Sequence, residues 1–147
     1  MSEKILISAC LLGEPVRYNG TGSKIDSPVL QKWLDEGKVI SVCPELLAGF
    51  PIPRTPCEIK GESVIDKNGN DVTAEFIKGA KLVLELVHKH KIKTAILKAR
   101  SPSCGSKQAY DGSFSGKLKP GMGVTSALLT QAGVQVFNEE EIENIKW

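Results

Sequence analysis

Residues 93–108 read "KTAILKARSPSCGSKQ". The first part, "KTAILKA", has the length and apolar content of a buried strand, and it runs straight into a loop of serines, proline and glycine around Cys104. A loop of this composition leaves backbone N–H groups free and the thiol reachable, which suits a nucleophile or a metal ligand better than a packing residue. The same pattern occurs twice upstream. "KILISA" (residues 4–9) runs into Cys10, and "KVISV" (residues 38–42) runs into Cys43. A fourth short apolar run, "VQVF" (residues 134–137), carries no cysteine.

Helical segments separate these runs. In "DSPVLQKWLDEG" (residues 26–37) Ser27 can cap, Pro28 takes the first helical position, Leu30, Trp33 and Leu34 share a face, and Gly37 stops the helix. "AEFIKGAKLVLELVHKHK" (residues 74–91) repeats Phe76, Ala80, Val83, Leu84 and Val87 at helical spacing behind a cap at Asp71 or Thr73, and reads as the central core helix. "VTSALLTQAG" (residues 124–133) is a helix closed by Gly133, and "NEEEIENIKW" (residues 138–147) reads as a terminal helix capped by Asn138. In "CPELLAGFPIPRTPCEIKG" (residues 43–61) the prolines at 44, 51, 53 and 56 rule out a continuous helix or a central strand. "ESVIDKNGNDVT" (residues 62–73) predicts a small β-hairpin insertion turning at "KNGN". Strands alternating with helices imply βα crossovers. The expected fold is a Rossmann-like α/β domain spanning residues 1–147, with a mainly parallel sheet and helices on both faces.

A chain of 147 residues with 41% apolar and 24% charged residues suits one globular domain with its own core. Aromatic residues at 5% are too few for a base-stacking platform, and a net charge of +2 shows no bias towards nucleic acid. The run "HKHKIK" (residues 88–93) reads as a solvated helix end. The first residues are apolar over too short a stretch to span a membrane, and Glu3 stands where a signal peptide prefers bases, so a cytoplasmic protein is expected. In a reducing compartment its four cysteines point to thiolate chemistry rather than to disulfides.

Ligands of open α/β sheets sit outside the carboxyl ends of the strands. Cys10, Cys43 and Cys104 would converge there, although each by itself could be a small buried hydrophobe. Zinc and iron–sulfur clusters both take thiolates, but neither the paired C-x-x-C spacing of zinc knuckles nor the close run of ferredoxins is present. Cys57 could be a fourth ligand; without it the site keeps an open metal position. Glu45 would lie beside the thiols, where negative neighbours and partial burial would raise its pKa and make it a proton carrier; otherwise it starts a helix or pairs with Arg54 or Arg17. Ser101 and Ser103 could hydrogen-bond a ligand or merely satisfy backbone groups. "KPGMGVTS" (residues 119–126) could offer N–H groups to an anion or simply begin a helix, and "GTGSK" (residues 20–24) lacks the spacing of a phosphate loop.

Taken together, "ISACLLGEPVRYNG" (residues 7–20), "VCPELLAGFPIPR" (residues 42–54) and "KARSPSCGSKQAYDG" (residues 98–112) resemble the bacterial domain of unknown function family 523, whose members include thiouracil desulfidases. The resemblance covers most of the chain. It implies a 4Fe-4S cluster held by Cys10, Cys43 and Cys104, with Glu45 and Ser101 as the catalytic pair. Cys57 stands where the family usually has alanine, and is expected not to touch the cluster. The implied reaction turns 2-thiouracil into uracil: substrate sulfur binds the cluster iron that lacks a protein ligand, Glu45 protonates the ring or activates water, and Ser101 orients the base or relays a proton. It is hydrolytic in outcome and needs no electron donor. The expected partners are a small thiolated base and the iron–sulfur assembly machinery, with no membrane and no stable nucleic-acid complex. Three other readings compete with this one: a metal-free cysteine nucleophile, for which His88 and His90 are the only histidines; a zinc-stabilised binding module; and a cluster-storage or metal-trafficking protein.

Overall fold

The four apolar runs pair with one another in the computed structural model, which describes residues 4–144. In chain order the elements are β1 (Ile5–Ser8), α1 (Pro28–Asp35), β2 (Val39–Val42), the single turn α2 (Pro44–Leu47), β3 (Cys57–Lys60), β4 (Ser63–Asp66), α3 (Thr73–His90), β5 (Thr94–Leu97), β6 (Gln108–Tyr110), β7 (Leu118–Pro120), α4 (Val124–Gln131) and β8 (Gln135–Asn138). One sheet has the order β2-β1-β5-β8, and every neighbouring pair in it is parallel. Leu6 sits between Ile40 and Ala95 in register.

Alternation along each strand sends side chains to two separate cores. Leu6, Val42, Ala95 and Leu97 pack with Val83 and Val87 of α3 and Leu129 of α4. On the opposite face Ile5, Ile7 and Ile96 pack with Leu30 and Trp33 of α1 and with Ile142 of a closing 3-10 turn. Helices therefore cover both faces, as their alternation with strands predicts. Ser27 caps α1 by accepting from Leu30 N at 3.2 Å. Leu34, assigned to the apolar face of that helix, is 40% exposed, and Val29 packs on the core in addition to Leu30 and Trp33.

The structure corrects the sequence in four places. The strand "SVID" forms, but it pairs antiparallel with Cys57–Lys60 rather than across "KNGN". Pro56 ends the irregular segment, and "CEIK" after it is free to extend. "KNGN" is still a turn: Asp66 accepts from the N–H groups of Asn68 and Asn70, and only a single bridge, Ile65 to Asp71, continues beyond it. A second hairpin, β6 with β7, lies inside the Gly- and Ser-rich segment read as loop. At the start of α3, Asp71 accepts from Thr73 N at 2.9 Å while Val72 holds the cap position. After β8 the chain makes only a 3-10 turn over Ile142–Asn144, and Asn138 accepts from Glu140 N at its start; residues 145–147 of the expected terminal helix lie outside the described residues.

Gly79 lies on the buried side of α3, where an added Cβ would overlap the carbonyl oxygen of Pro44. That closeness seats α2 directly on α3. Gly to Ala inside a helix ordinarily gains about 1 kcal/mol. Gly79→Ala is expected to do the reverse, lowering the urea midpoint of unfolding, because the backbone of α2 has to move to admit the methyl group.

Candidate functional site

The sheet order puts β1 next to β5 while the chain leaves these two strands in opposite directions, towards β2 and towards β8. Such a switch point opens a crevice at the carboxyl ends of the strands. Cys10 lies in the 3-10 turn Ala9–Leu12 that follows β1, Cys43 follows β2 and precedes α2, and Cys104 lies in the loop after β5. All three line one cavity of about 540 Å³, and Glu45, Ser101 and Cys57 line it with them.

Local hydrogen bonds hold each cysteine in place. The carbonyl of Cys10 accepts from Gly13 N and Ser23 N, so that "GTGSK" buttresses this turn. In the loop after β5 the Ser101 hydroxyl accepts from both Ser103 N and Cys104 N at 3.1 Å. With its lone pairs engaged by the backbone, the O–H of Ser101 is the group left to face a ligand. Ser103 does not face the cavity: its hydroxyl is buried against that of Thr125 at 2.7 Å, and Ser126 donates to the Cys104 carbonyl at 2.6 Å. The N–H groups at the start of α4 are likewise used, by the carbonyls of Pro102 and Ser103. The anion-site reading of "KPGMGVTS" is therefore replaced by its plainer one, a helix start that anchors the cysteine loop.

Burial dominates the electrostatics of the thiols. It pushes Cys10 up to about 11 and Cys104 up to about 12, and it raises Cys43 as well. Cys10 feels the charge of Cys43, and Cys104 that of Cys10 and Cys43, as members of one cluster must. Cys57, pushed up to about 12, responds instead to Glu45, Asp66 and Arg54, and its thiol hydrogen-bonds to Thr55 O. Among the described residues no three His, Cys, Asp or Glu side chains form a group that could hold a single metal ion. Three buried soft donors set around a cavity fit a larger polynuclear iron–sulfur group, whose several positive irons offset the cost of keeping thiolates away from water.

Glu45 is not the isolated acid expected beside the thiols. Arg54 donates to its Oε2 at 2.6 Å, with side-chain exposures of 6% for Arg54 and 16% for Glu45, and the same guanidinium donates to Val16 O at 2.9 Å. Across the site, Glu139 binds Lys98 Nζ at 2.8 Å and Ala99 N at 2.7 Å, fixing the start of the Cys104 loop.

Comparison with known proteins agrees with this geometry. The profile of the 2-thiouracil desulfurase family matches residues 5–141. The chain belongs to the 2-thiouracil desulfurase family. Within it, the chain is 43% identical over 151 aligned positions to YbbK of Bacillus subtilis strain 168, a match that covers 96% of this chain and 99% of that protein. It is 48% identical, with a TM-score of 0.95, to the solved structure of TudS, described as a [4Fe-4S]-dependent thiouracil desulfidase; that match covers 97% of this chain and 95% of TudS.

Against this desulfurase-family frame, the structure brings Cys10, Cys43, Cys104, Glu45 and Ser101 together at one cavity, with Cys57 on the Glu45 side. His88 and His90 are exposed at the end of α3, immediately before β5, and so stand at the amino ends of the strands, away from the cysteines. Sequence reasoning missed Ser8, whose hydroxyl accepts from Lys98 N at 2.9 Å and hydrogen-bonds Cys104. Its signal was a polar residue closing an apolar strand. Lys98, Glu139, Glu58 and Phe114 were missed because their partners are far away in sequence. Ser103→Ala is expected to cost about 1–3 kcal/mol in denaturant unfolding by leaving the buried Thr125 hydroxyl unpaired. The double variant with Thr125→Val should recover much of that loss.

Proposed function

We propose that this chain is an iron–sulfur-dependent desulfidase that exchanges the thiocarbonyl sulfur of a small thiolated base for oxygen, as in the conversion of 2-thiouracil to uracil. The observation that carries this reading is the set of three buried thiols from three strand ends around one cavity, in a chain 48% identical to a [4Fe-4S]-dependent thiouracil desulfidase. Cys10, Cys43 and Cys104 would hold a 4Fe-4S cluster, and Cys57 would not. When bound, such a cluster supplies one iron without a protein ligand, a Lewis acid with affinity for the substrate sulfur.

The remaining work falls to the protein. The Oε2 of Glu45 is tied to Arg54, while no hydrogen bond engages its Oε1 among the described residues, so that oxygen can take a proton from a water molecule attacking the thiocarbonyl carbon. The Ser101 O–H can donate to a ring oxygen or nitrogen of the base, holding it in the orientation that attack requires. A C–O bond forms and the C–S bond breaks; sulfur leaves as sulfide with the electron pair of that bond, and no electron donor is needed. Two competing readings fare worse. Thiols raised by burial and far from either histidine are poor metal-free nucleophiles, and the donor set does not make a single-ion zinc site among the described residues. A reducing cytoplasm and an iron–sulfur assembly machinery suit such a protein. No helix among the described residues is long and apolar enough to cross a membrane, and the near-balanced charge argues against a stable nucleic-acid complex.

Anaerobic reconstitution with iron and sulfide tests the proposal. The native chain and Cys57→Ala should both turn brown with about four irons per chain, whereas Cys10→Ala, Cys43→Ala and Cys104→Ala should not; release of uracil from 2-thiouracil by the loaded protein completes the test. A native chain that stays colourless would overturn it. Glu45→Gln should keep its iron and visible absorption while kcat falls by about 10²–10⁴-fold, the range for loss of a general base.

A further inference from the structure

The tip between β6 and β7, "DGSFSGK" (residues 111–117), is made of small and polar residues apart from one aromatic. Phe114 adopts φ +55°, a left-handed conformation that suits the flanking Gly112 and Gly116, themselves at positive φ, far better than an aromatic residue. It belongs to neither hydrophobic core among the described residues, so packing does not account for it. What it does is line the cavity, half-buried, beside Tyr110 of β6.

The tip is held there by a latch. Glu58 of β3 accepts with Oε1 from Gly112 N at 3.0 Å and from Phe114 N at 3.1 Å. Gly112 is pressed so close to β3 that an added Cβ would lie 2.7 Å from Cβ of Lys60 and 3.0 Å from Ile59 O. Asp111 N donates to Lys117 O at 2.9 Å and closes the tip. The two hairpins thus form one wall of the cavity, and a single carboxylate fixes the one aromatic residue of the tip in a sterically unfavourable backbone conformation.

We propose that Phe114 is the specificity-determining residue of this site, its ring taking the face of a flat heteroaromatic ligand, and that Glu58 is the positioning residue that holds it there. This inference rests on the desulfidase reading for the class of ligand and adds how the ring is recognised. An aromatic face binds bases by stacking without reading their edges, which leaves the thiocarbonyl and ring nitrogens free for the groups that act on them.

The test compares the native protein with Phe114→Ala, Phe114→Leu, Phe114→Tyr, Glu58→Ala and Glu58→Gln. Each is loaded with iron and sulfide, and is measured for iron content, for the Kd of uracil by equilibrium dialysis and for kcat and KM with 2-thiouracil. Phe114→Ala should raise both Kd and KM by roughly tenfold or more, the loss expected for a missing stacking partner, while kcat and iron content stay near native values. Phe114→Leu, which fills space without a π face, should remain impaired, and Phe114→Tyr should restore binding. Glu58→Ala should raise KM in the same way and speed hydrogen exchange at the Gly112 and Phe114 amides even in the unloaded chain, with Glu58→Gln, which keeps an acceptor oxygen, closer to native. Native affinity in Phe114→Ala or Phe114→Leu would overturn the stacking role while leaving the desulfidase reading standing, and unchanged amide exchange in Glu58→Ala would overturn the latch. A loaded native protein that neither binds uracil nor converts 2-thiouracil would overturn both this inference and the reading beneath it.

Discussion

Parallel pairing of β1 with both β2 and β5 is the constraint on which the site depends. Parallel strands end on the same side of a sheet, so three cysteines that each follow a strand are delivered to one edge without any of them being near another in sequence. Because the chain leaves β1 and β5 towards opposite sides, the edge opens there into a crevice rather than being closed by a connection. The packing of α3 serves the same end: Gly79 lets α2 lie close, and α2 carries Glu45 just after Cys43.

Once the thiols are gathered, the physical problem is charge. Burial holds Cys10, Cys43 and Cys104 in their neutral form, and each would suffer from the negative charge of the others. A group bearing positive metal ions reverses that balance, since metal binding displaces the thiol protons. The protein surrounds the trio with ion pairs rather than lone charges. Arg54 with Glu45 and Lys98 with Glu139 each leave little net charge in the low-dielectric rim while fixing the segments that bear functional groups. For Glu45 the consequence is directional: one carboxylate oxygen is anchored and the other is presented to the cavity.

How much of this could be read from the sequence follows from the range of the interactions involved. The parallel strands, α1 and α3 were legible because their apolar periodicity and their caps, such as Ser27 before Pro28, are local. The hairpins were not. Cys57–Lys60 was hidden by the prolines before it, and β6 and β7 are three residues each in a segment whose composition says loop; what makes them strands is pairing with each other and the hold of Glu58 on their tip. The last segment misled because Asn138 and its acids do form a local capping arrangement, but the N–H of Asn138 is bound by Glu141 within a 3-10 turn.

The sequence by itself determined the α/β alternation, the placing of Cys10, Cys43 and Cys104 at strand ends, and the nearness of Glu45 and Ser101 to them, because each of these depends on residues a few positions apart. Only the tertiary structure decided that Glu45 is paired with Arg54, that the Ser101 hydroxyl is spent on two backbone N–H groups while keeping its proton, that Cys57 answers to Glu45 and Arg54 rather than to the other thiols, and that Phe114 is held at the cavity. These are matters of distance and direction between segments remote in the chain. Local propensity carries no information about them until the sheet order has set which loops meet.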